Sequence, residues 1–261
     1  MKLNFNKYQG AGNDFVMIDA REFNENFSNE LVQFLCDRRF GVGADGLILL
    51  ANSKQSHVDF KMVYYNADGH ESTMCGNGGR CIVAFAKKLG LIEKSCVFEA
   101  IDGLHEAYFE EDLVQLKMSN ITEIKQESDS FYLNTGSPHH IVFVDDLSSI
   151  DIKKKGADIR YSSAYESQNG TNVNFIQKKG NQLLIRTYER GVEDETLACG
   201  TGVTAAAIAS FVKYENLKKP IQVKAVGGDL SVDFNMKNAQ NFEDIWLKGP
   251  AKFVFKGEIE C

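Results

Sequence analysis

One eight-residue signature occurs twice in this chain. Glu71-Ser-Thr-Met-Cys75-Gly-Asn-Gly78 and Glu195-Thr-Leu-Ala-Cys199-Gly-Thr-Gly202 both read Glu-x-x-x-Cys-Gly-x-Gly, 124 residues apart. Each opens a stretch with apolar residues at helical spacing. Each follows a β-like run ending in tyrosine and a polar residue, Tyr65-Asn66 and Tyr188-Glu189. A pair of turns keeps the same offset, Gly12-Asn13-Asp14 and Gly136-Ser137-Pro138. A period near half of 261 residues is too long for a solenoid. Two homologous halves therefore account for a length that would otherwise fit one large domain.

Most of the remaining pattern is strand. Val58–Tyr64, Val114–Met118 and Leu230–Phe234 alternate apolar and polar residues. Further apolar runs lie at 46–50, 140–144, 183–188 and 252–255. Short polar or glycine turns join many of them, which favours antiparallel pairing. Regular alternation of strand and helix is absent, against a Rossmann-type sheet. Three stretches read as helices. Ser28 caps one carrying Leu31, Phe34 and Leu35, stopped by Gly41. The second spans about Asn77 to Leu89 and the third about Thr201 to Tyr214. These two are apolar nearly all round, as helices buried inside a sheet wrapper should be.

Composition narrows the function. The net charge of −7 argues against nucleic acid as the main partner. The Lys153-Lys-Lys155 run reads as a solvated face. No apolar run approaches the roughly 18 residues of a membrane span. The opening Met1-Lys2-Leu3-Asn4-Phe5-Asn6 lacks an apolar signal core, so a cytoplasmic location is expected. Six cysteines, at 36, 75, 81, 96, 199 and 261, are then expected as free thiols. None forms a C-x-x-C pair and no zinc-ligand spacing is present, so no metal is expected.

A cysteine at the first turn of a helix has its thiolate stabilised by unpaired backbone N–H groups and the helix dipole. The adjoining glycines let a ligand approach backbone that favours an anion. One such site reads as a reactive thiol or a phosphate loop, although neither copy carries Gly-Lys-Ser/Thr. Two copies in equivalent halves read as two thiols flanking one carboxylate ligand. That suits racemisation next to a carboxylate: one thiolate removes a proton from one face, and the other thiol returns one to the opposite face. Helix N-terminal amides at Gly76/Asn77 and Gly200/Thr201 would stabilise charge on the carboxylate. A thiol redox switch and a carboxylate-binding module remain open as readings of the same residues.

The order of motifs resembles the diaminopimelate epimerase family, a group of pyridoxal-independent enzymes. The matching segments are Gly10–Phe15, Arg39–Gly46, Asn66–Gly69, Met74–Cys81, Gly136–His139, Thr171–Phe175 and Glu189–Arg190 through Ala198–Gly202. The resemblance implies interconversion of LL- and meso-diaminopimelate, in lysine and peptidoglycan precursor synthesis, without a cofactor. It implies Cys75 and Cys199 as the acid/base pair, with His139 and Glu189 setting their protonation. It further implies that Asn13, Asn66, Asn172, Glu189 and Arg190 contact the substrate, and that Gly76, Asn77, Gly200 and Thr201 hold its α-carboxylate. A homodimer is expected on the same ground.

The fold expected is α/β. Two pseudo-symmetric halves, 1–128 and 129–250, each wrap a mostly antiparallel sheet or barrel around a central helix. By family likeness, residues 251–261 return to the first half. Three departures stand out: Ser137 where the family usually has asparagine, Gly46 where some members have glutamine, and a 191–196 stretch one residue longer than usual. The other four cysteines read as packing. His57, His70 and His105 read as surface or turn residues, His140 as a strand residue, and Asp14 and Asp68 as turn residues bonding their own backbone. The nearest rival is a proline or hydroxyproline racemase with the same thiol pair.

Overall fold

The computed structural model describes residues 2–23 and 27–261. The chain divides into two compact units, Met1–Leu116 with Gly249–Cys261, and Lys117–Lys248. The division falls before residue 128 for a local reason. Met118 N–H donates to Ile245 O at 2.8 Å, and Ile121 exchanges two hydrogen bonds with Phe242, which ties this stretch to the second unit.

In the first unit, β1 (Lys2–Gly10) turns into β2 (Asn13–Asp19), and α1 (Asn29–Cys36) leads to β3 (Gly46–Ala51). Then follow β4 (Phe60–Asn66), β5 (Glu71–Ser72), α2 (Gly76–Lys88), β6 (Ser95–Ala100), β7 (Gly103–Glu110) and β8 (Leu113–Lys117). The C-terminal strand, Lys252–Glu260, pairs antiparallel with β1. Hairpin neighbours are antiparallel, but β2–β3 and β4–β6 run parallel. A parallel neighbour needs a crossover connection, and α1 and α2 supply the two. Because both helices cover the sheet, β2 and β3 are buried on both faces, which is why Phe15–Ile18 and Leu47–Leu50 read as unbroken apolar runs.

The second unit repeats this order. It consists of β9 (Ile124–Glu127), β10 (Ser130–Asn134), β11 (Pro138–Phe143), α3 (Ile152–Arg160), β12 (Asn172–Lys179) and β13 (Gln182–Glu189). It continues with β14 (Asp194–Thr196), α4 (Gly200–Lys213), β15 (Ile221–Ala225), β16 (Gly228–Asn238) and β17 (Asn241–Pro250). Its parallel pairs, β11–β12 and β13–β15, stand where β2–β3 and β4–β6 stand in the first unit. The two halves are thus pseudo-symmetric, each a mostly antiparallel sheet around one central helix.

Those central helices are buried through most of their length, Gly76–Ala86 in α2 and Gly202–Ser210 in α4. Small residues let them sit close to the strands. In the first unit a Cβ on Gly78 would lie 2.9 Å from Ile48 Cδ1, and in the second unit α4 buries Ala205, Ala206, Ala207 and Ala209. Phe15, Phe60, Phe85 and Phe98 fill the first unit, each contributing roughly 1.5–3 kcal/mol by burial. On the outer face, Val32 and Leu35 of α1 pack with Val16, Ile18, Leu47 and Leu49. Ile152 of α3 packs with Val173, Phe175 and Tyr188.

Four local expectations need correction. Ser28 does cap α1, but the helix ends at Cys36, where Asp37 breaks out into extended backbone. The Lys153-Lys-Lys155 run is exposed, as expected, but it lies on α3, a helix not recognised in the sequence because its apolar face is short, made of Ile152, Gly156, Ala157 and Ile159. Asp14 does not bond its own backbone; it pairs with Lys7 at 2.8 Å and Arg38 at 2.7 Å. His105 is stacked on Phe98 and 3.3 Å from Asp102, since β7 brings it beside β6. Among the described residues, no helix is long and apolar enough to cross a membrane.

Candidate active site

Each unit presents one half of the residue set read from the sequence. In the first, Cys75 is the N-cap of α2, with extended backbone at φ −92° and no cap bond from its side chain. An α-helix leaves its first N–H groups without partners inside the helix, so Gly76 and Asn77 begin an anion-favouring turn. Beside this turn, Asn13 comes from the β1–β2 hairpin. Its Oδ1 lies 3.7 Å from Cys75 Sγ and accepts from Asn77 Nδ2 at 3.3 Å. Its Nδ2 donates to Asp45 at 2.6 Å. Asn66 is half-buried at the end of β4, where its N–H donates to His70 O.

Behind the turn lies Arg80, fully buried. Its guanidinium donates to Asn77 Oδ1 at 2.7 Å, Gly76 O at 3.1 Å and Pro250 O at 3.3 Å. A buried charge is tolerated only when hydrogen-bonded, and here its bonds hold the first turn of α2.

The second unit repeats the plan with different chemistry. Cys199 is the N-cap of α4, again extended and without a cap bond from its side chain. Its Sγ lies 3.4 Å from Thr201 Oγ1. Thr201 Oγ1 is 2.9 Å from His139 Nε2 and 3.1 Å from Ser137 Oγ. His139 is fully buried on β11, and burial, with the nearby Arg190 charge, holds its imidazole down at about 3. It is therefore neutral at any working pH. Asn172 donates to Pro138 O at 2.9 Å and accepts from the Arg190 N–H at 2.9 Å, which anchors the end of β13. Glu189, half-buried, accepts from Thr196 Oγ1 at 2.8 Å, and burial raises its carboxyl above the usual range.

The four remaining cysteines differ in setting. Cys36, Cys81 and Cys96 are buried, and burial pushes each thiol up to about 12, whereas Cys261 is exposed. A cysteine with such a thiol is inert packing. Cys75 and Cys199 are half-buried. Among the described residues, no group of three or more His, Cys, Asp or Glu is gathered as a metal site would need.

Sequence reading missed three supporting residues: Arg80, Asp45 and Asn174. Asn174 Nδ2 is 3.1 Å from His139 Nδ1, and its Oδ1 accepts from Thr187 at 2.9 Å. A signal was present for two of them. Asn172 and Asn174 alternate with the buried Val173 and Phe175 at the start of β12, and Arg80 is the one charged residue in the buried stretch Gly76–Ala86 of α2. Asp45 had no such signal, because it lies in the exposed approach to β3. Ser137, the departure from the expected asparagine, sits inside the His139–Thr201 cluster.

Comparisons with known proteins agree with the motif order. The sequence profile of the diaminopimelate epimerase family matches residues 5–122 and 131–254. A protein named diaminopimelate epimerase from Flavobacterium psychrophilum is 55% identical over 256 residues, covering 97% of this chain and 98% of its own. Its namesake from Chlorobaculum tepidum is 43% identical, covering 96% and 98%. Among solved structures, a phenazine biosynthesis protein of the PhzF family from Bacillus anthracis superposes with a TM-score of 0.75 at 16% identity, covering 100% of both chains. A probable proline racemase from Agrobacterium radiobacter K84 superposes with a TM-score of 0.67 at 12% identity, covering 99% of this chain and 93% of that one. At such identities the structural neighbours speak for the fold.

Proposed function

The chain belongs to the diaminopimelate epimerase family and is an isomerase, and on that premise we propose that it interconverts LL- and meso-diaminopimelate through a Cys75/Cys199 proton exchange. The observation that carries the reading is the repeated plan: in each unit a half-buried cysteine caps a buried helix that begins Gly-x-Gly. A nearly symmetric reaction matches two equivalent acid/base groups.

In this reading one cysteine, as thiolate, takes the α-proton, and the electron pair left on carbon spreads into the α-carboxylate. The other cysteine, as thiol, gives its proton to the opposite face of that carbon. The proton count is conserved and the two sulfurs exchange states. Backbone N–H groups at Gly76-Asn77 and Gly200-Thr201 stabilise the developing carboxylate charge. Asn13, Asn66, Asn172, Glu189 and Arg190 recognise the amino and carboxylate groups, with Arg190 suited to a bidentate clamp. His139 and Glu189 support the thiols. Placement in lysine and peptidoglycan precursor synthesis, a cytoplasmic location and a homodimer belong to the same reading.

The test is incubation with LL-diaminopimelate, and in parallel with L-proline, in D₂O. Diaminopimelate should gain α-deuterium and yield the meso isomer, and proline should gain none. Exchange into proline alone would overturn the proposal. Cys75→Ala and Cys199→Ala should each lose net epimerisation by at least roughly a thousandfold, as removal of one of two obligate bases requires.

A further inference from the structure

The two halves fasten the segment that leads into each N-cap cysteine by different means. In each unit a two-residue turn closes a hairpin beside that segment. Ile101-Asp102 joins β6 to β7, where Ala100 pairs with Gly103, and Val226-Gly227 joins β15 to β16, where Ala225 pairs with Gly228. In the second unit the turn uses its backbone: the Gly227 N–H donates to Leu197 O at 2.8 Å. In the first it uses a side chain: Asp102 Oδ1 accepts from the Met74 N–H at 3.2 Å. We propose that Asp102 is a positioning residue for the reaction, holding the Met74 backbone so that the Cys75 sulfur stays at the N-terminus of α2. The proposal rests on the epimerase reading, in which Cys75 is one of the two acid/base groups.

The surroundings of Asp102 hold it as an acceptor. A backbone N–H can only donate, so the direction of the Met74 bond is fixed. The same carboxylate oxygen lies 3.3 Å from His105 Nε2, and an ionised carboxylate has no proton to give, so the imidazole donates there. Burial would raise the Asp102 carboxyl, but the His105 and Met74 bonds outweigh it and hold it below the usual range. His105 is fixed in turn. Its ring stacks on Phe98 at 5.2 Å, and Phe98 is fully buried and stacked on Phe60. In the second hairpin the matching pair is Val223 and Leu230, both buried and apolar. The first unit thus has an imidazole where the second has only packing, and that imidazole bonds to Asp102.

Met74 directly precedes the N-cap, and its side chain is seated on α2. A Cβ on Gly79, one turn into the helix, would lie 2.8 Å from Met74 Sδ. The helix itself is held by burial from Gly76 to Ala86 and by the Arg80 bonds. Cys75 therefore joins a fixed helix to a segment whose N–H is tied by Asp102. A seated side chain still lets the backbone pivot about it, and the N–H bond removes that freedom. The tie acts on the backbone, so it holds whatever else the sulfur touches. Proton transfer is sensitive to such placement, since a misplacement of about 1 Å can cost about a hundredfold in rate. Recognition of the carboxylate by the Gly76 and Asn77 amides depends on the helix and not on Asp102. Loss of the tie should fall on kcat and spare KM.

A carboxylate near a thiol also acts through its charge, which favours the thiol and slows alkylation. The two effects have opposite signs. Removing the charge alone would speed alkylation of Cys75. Swinging the sulfur away from the helix N–H groups removes stabilisation of its thiolate and slows it. Asp102→Asn separates the two, because its amide oxygen still accepts from the Met74 N–H but carries no charge. In the second unit the tie is backbone to backbone, so Cys199 serves as the internal reference.

The first measurement is amide hydrogen exchange in the wild-type chain, read by NMR. The Met74 N–H should exchange at least about tenfold more slowly than an unstructured amide. Free exchange at Met74 overturns the inference, and this needs no variant to fold. The second is alkylation by iodoacetamide at one fixed pH, with Cys75 and Cys199 followed separately by peptide mass mapping. Asp102→Ala should lower the Cys75 rate relative to Cys199 by about threefold or more. It should also lower kcat about tenfold, with KM within about twofold of wild type. Asp102→Asn should restore both. A Cys75 rate that rises or stays level in Asp102→Ala, an Asp102→Asn protein that behaves as Asp102→Ala, or a loss that falls on KM each overturns the inference. A protected Met74 amide and the expected alkylation pattern, in a chain that does not epimerise diaminopimelate, would sink the epimerase reading alone.

Discussion

His139 Nδ1 and the Asn174 side-chain nitrogen are 3.1 Å apart, inside a fully buried pocket of β11 and β12. Because Thr187 holds the Asn174 oxygen, the imidazole is bonded as a neutral Nε2–H tautomer. Burial depresses its protonation from 6.5 to about 3. Between those values the unfolded chain binds a proton that the folded chain refuses, so stability falls as pH falls. The slope from this residue is at most about 1.4 kcal/mol per pH unit, and it vanishes above about 6.5. Denaturant titrations of wild type and His139→Gln between pH 4 and 8 should show the variant with the shallower acid slope. Identical slopes would contradict the buried neutral assignment.

Arg80→Met should destabilise the chain by about 3 kcal/mol. The loss comes from removing the charged donor to the Asn77 oxygen and to the Gly76 and Pro250 carbonyls, since methionine fills the volume but donates nothing. Urea unfolding would read it, and a change below about 1 kcal/mol would mean that those acceptors find other partners.

Glu193 is the hub of the turn after β13. Its carboxylate accepts from Arg160 at 2.6 Å, the Gly191 N–H at 2.9 Å, Tyr161 at 2.7 Å and Tyr188 at 3.1 Å. Burial alone would raise its pKa, but these donors outweigh it and hold it at about 2. Its stabilisation is present above the ordinary carboxylate range and is lost as pH falls through about 2. Glu193→Gln should cost about 2 kcal/mol at pH 7 in chemical denaturation, reduced by its partial exposure. The turn follows Glu189 and Arg190 directly, so the variant should also raise KM more than it lowers kcat.

Gly202→Ala is a test of sign. In an open helix alanine gains up to about 1 kcal/mol over glycine. Here the new Cβ would overlap Asn174 Oδ1 and lie 3.3 Å from His139 Cε1. Overpacking of this kind costs about 1–3 kcal/mol, so a net loss of stability is expected. Urea unfolding of the variant beside wild type reads the sign.

The sequence by itself determined the doubling. Two Cys-Gly-x-Gly turns at one offset specified two equivalent halves, each with a buried helix, where small residues at 78–79 and 205–207 let the helix approach the strands. Strand positions followed from alternation, and the apolar runs of β2 and β3 from being covered on both faces. Tertiary structure decided the rest, because hydrogen-bond direction is a property of partners far apart in the chain. Asn13 and Asp45 are 32 residues apart, and His139 and Asn174 are 35 apart. No local pattern records that the carboxylate of a hairpin turn closes on the residue before Cys75, 28 positions back along the chain. That is fixed only when the folded sheet brings the two together. The sequence named two matched thiols, and the fold made their surroundings unequal.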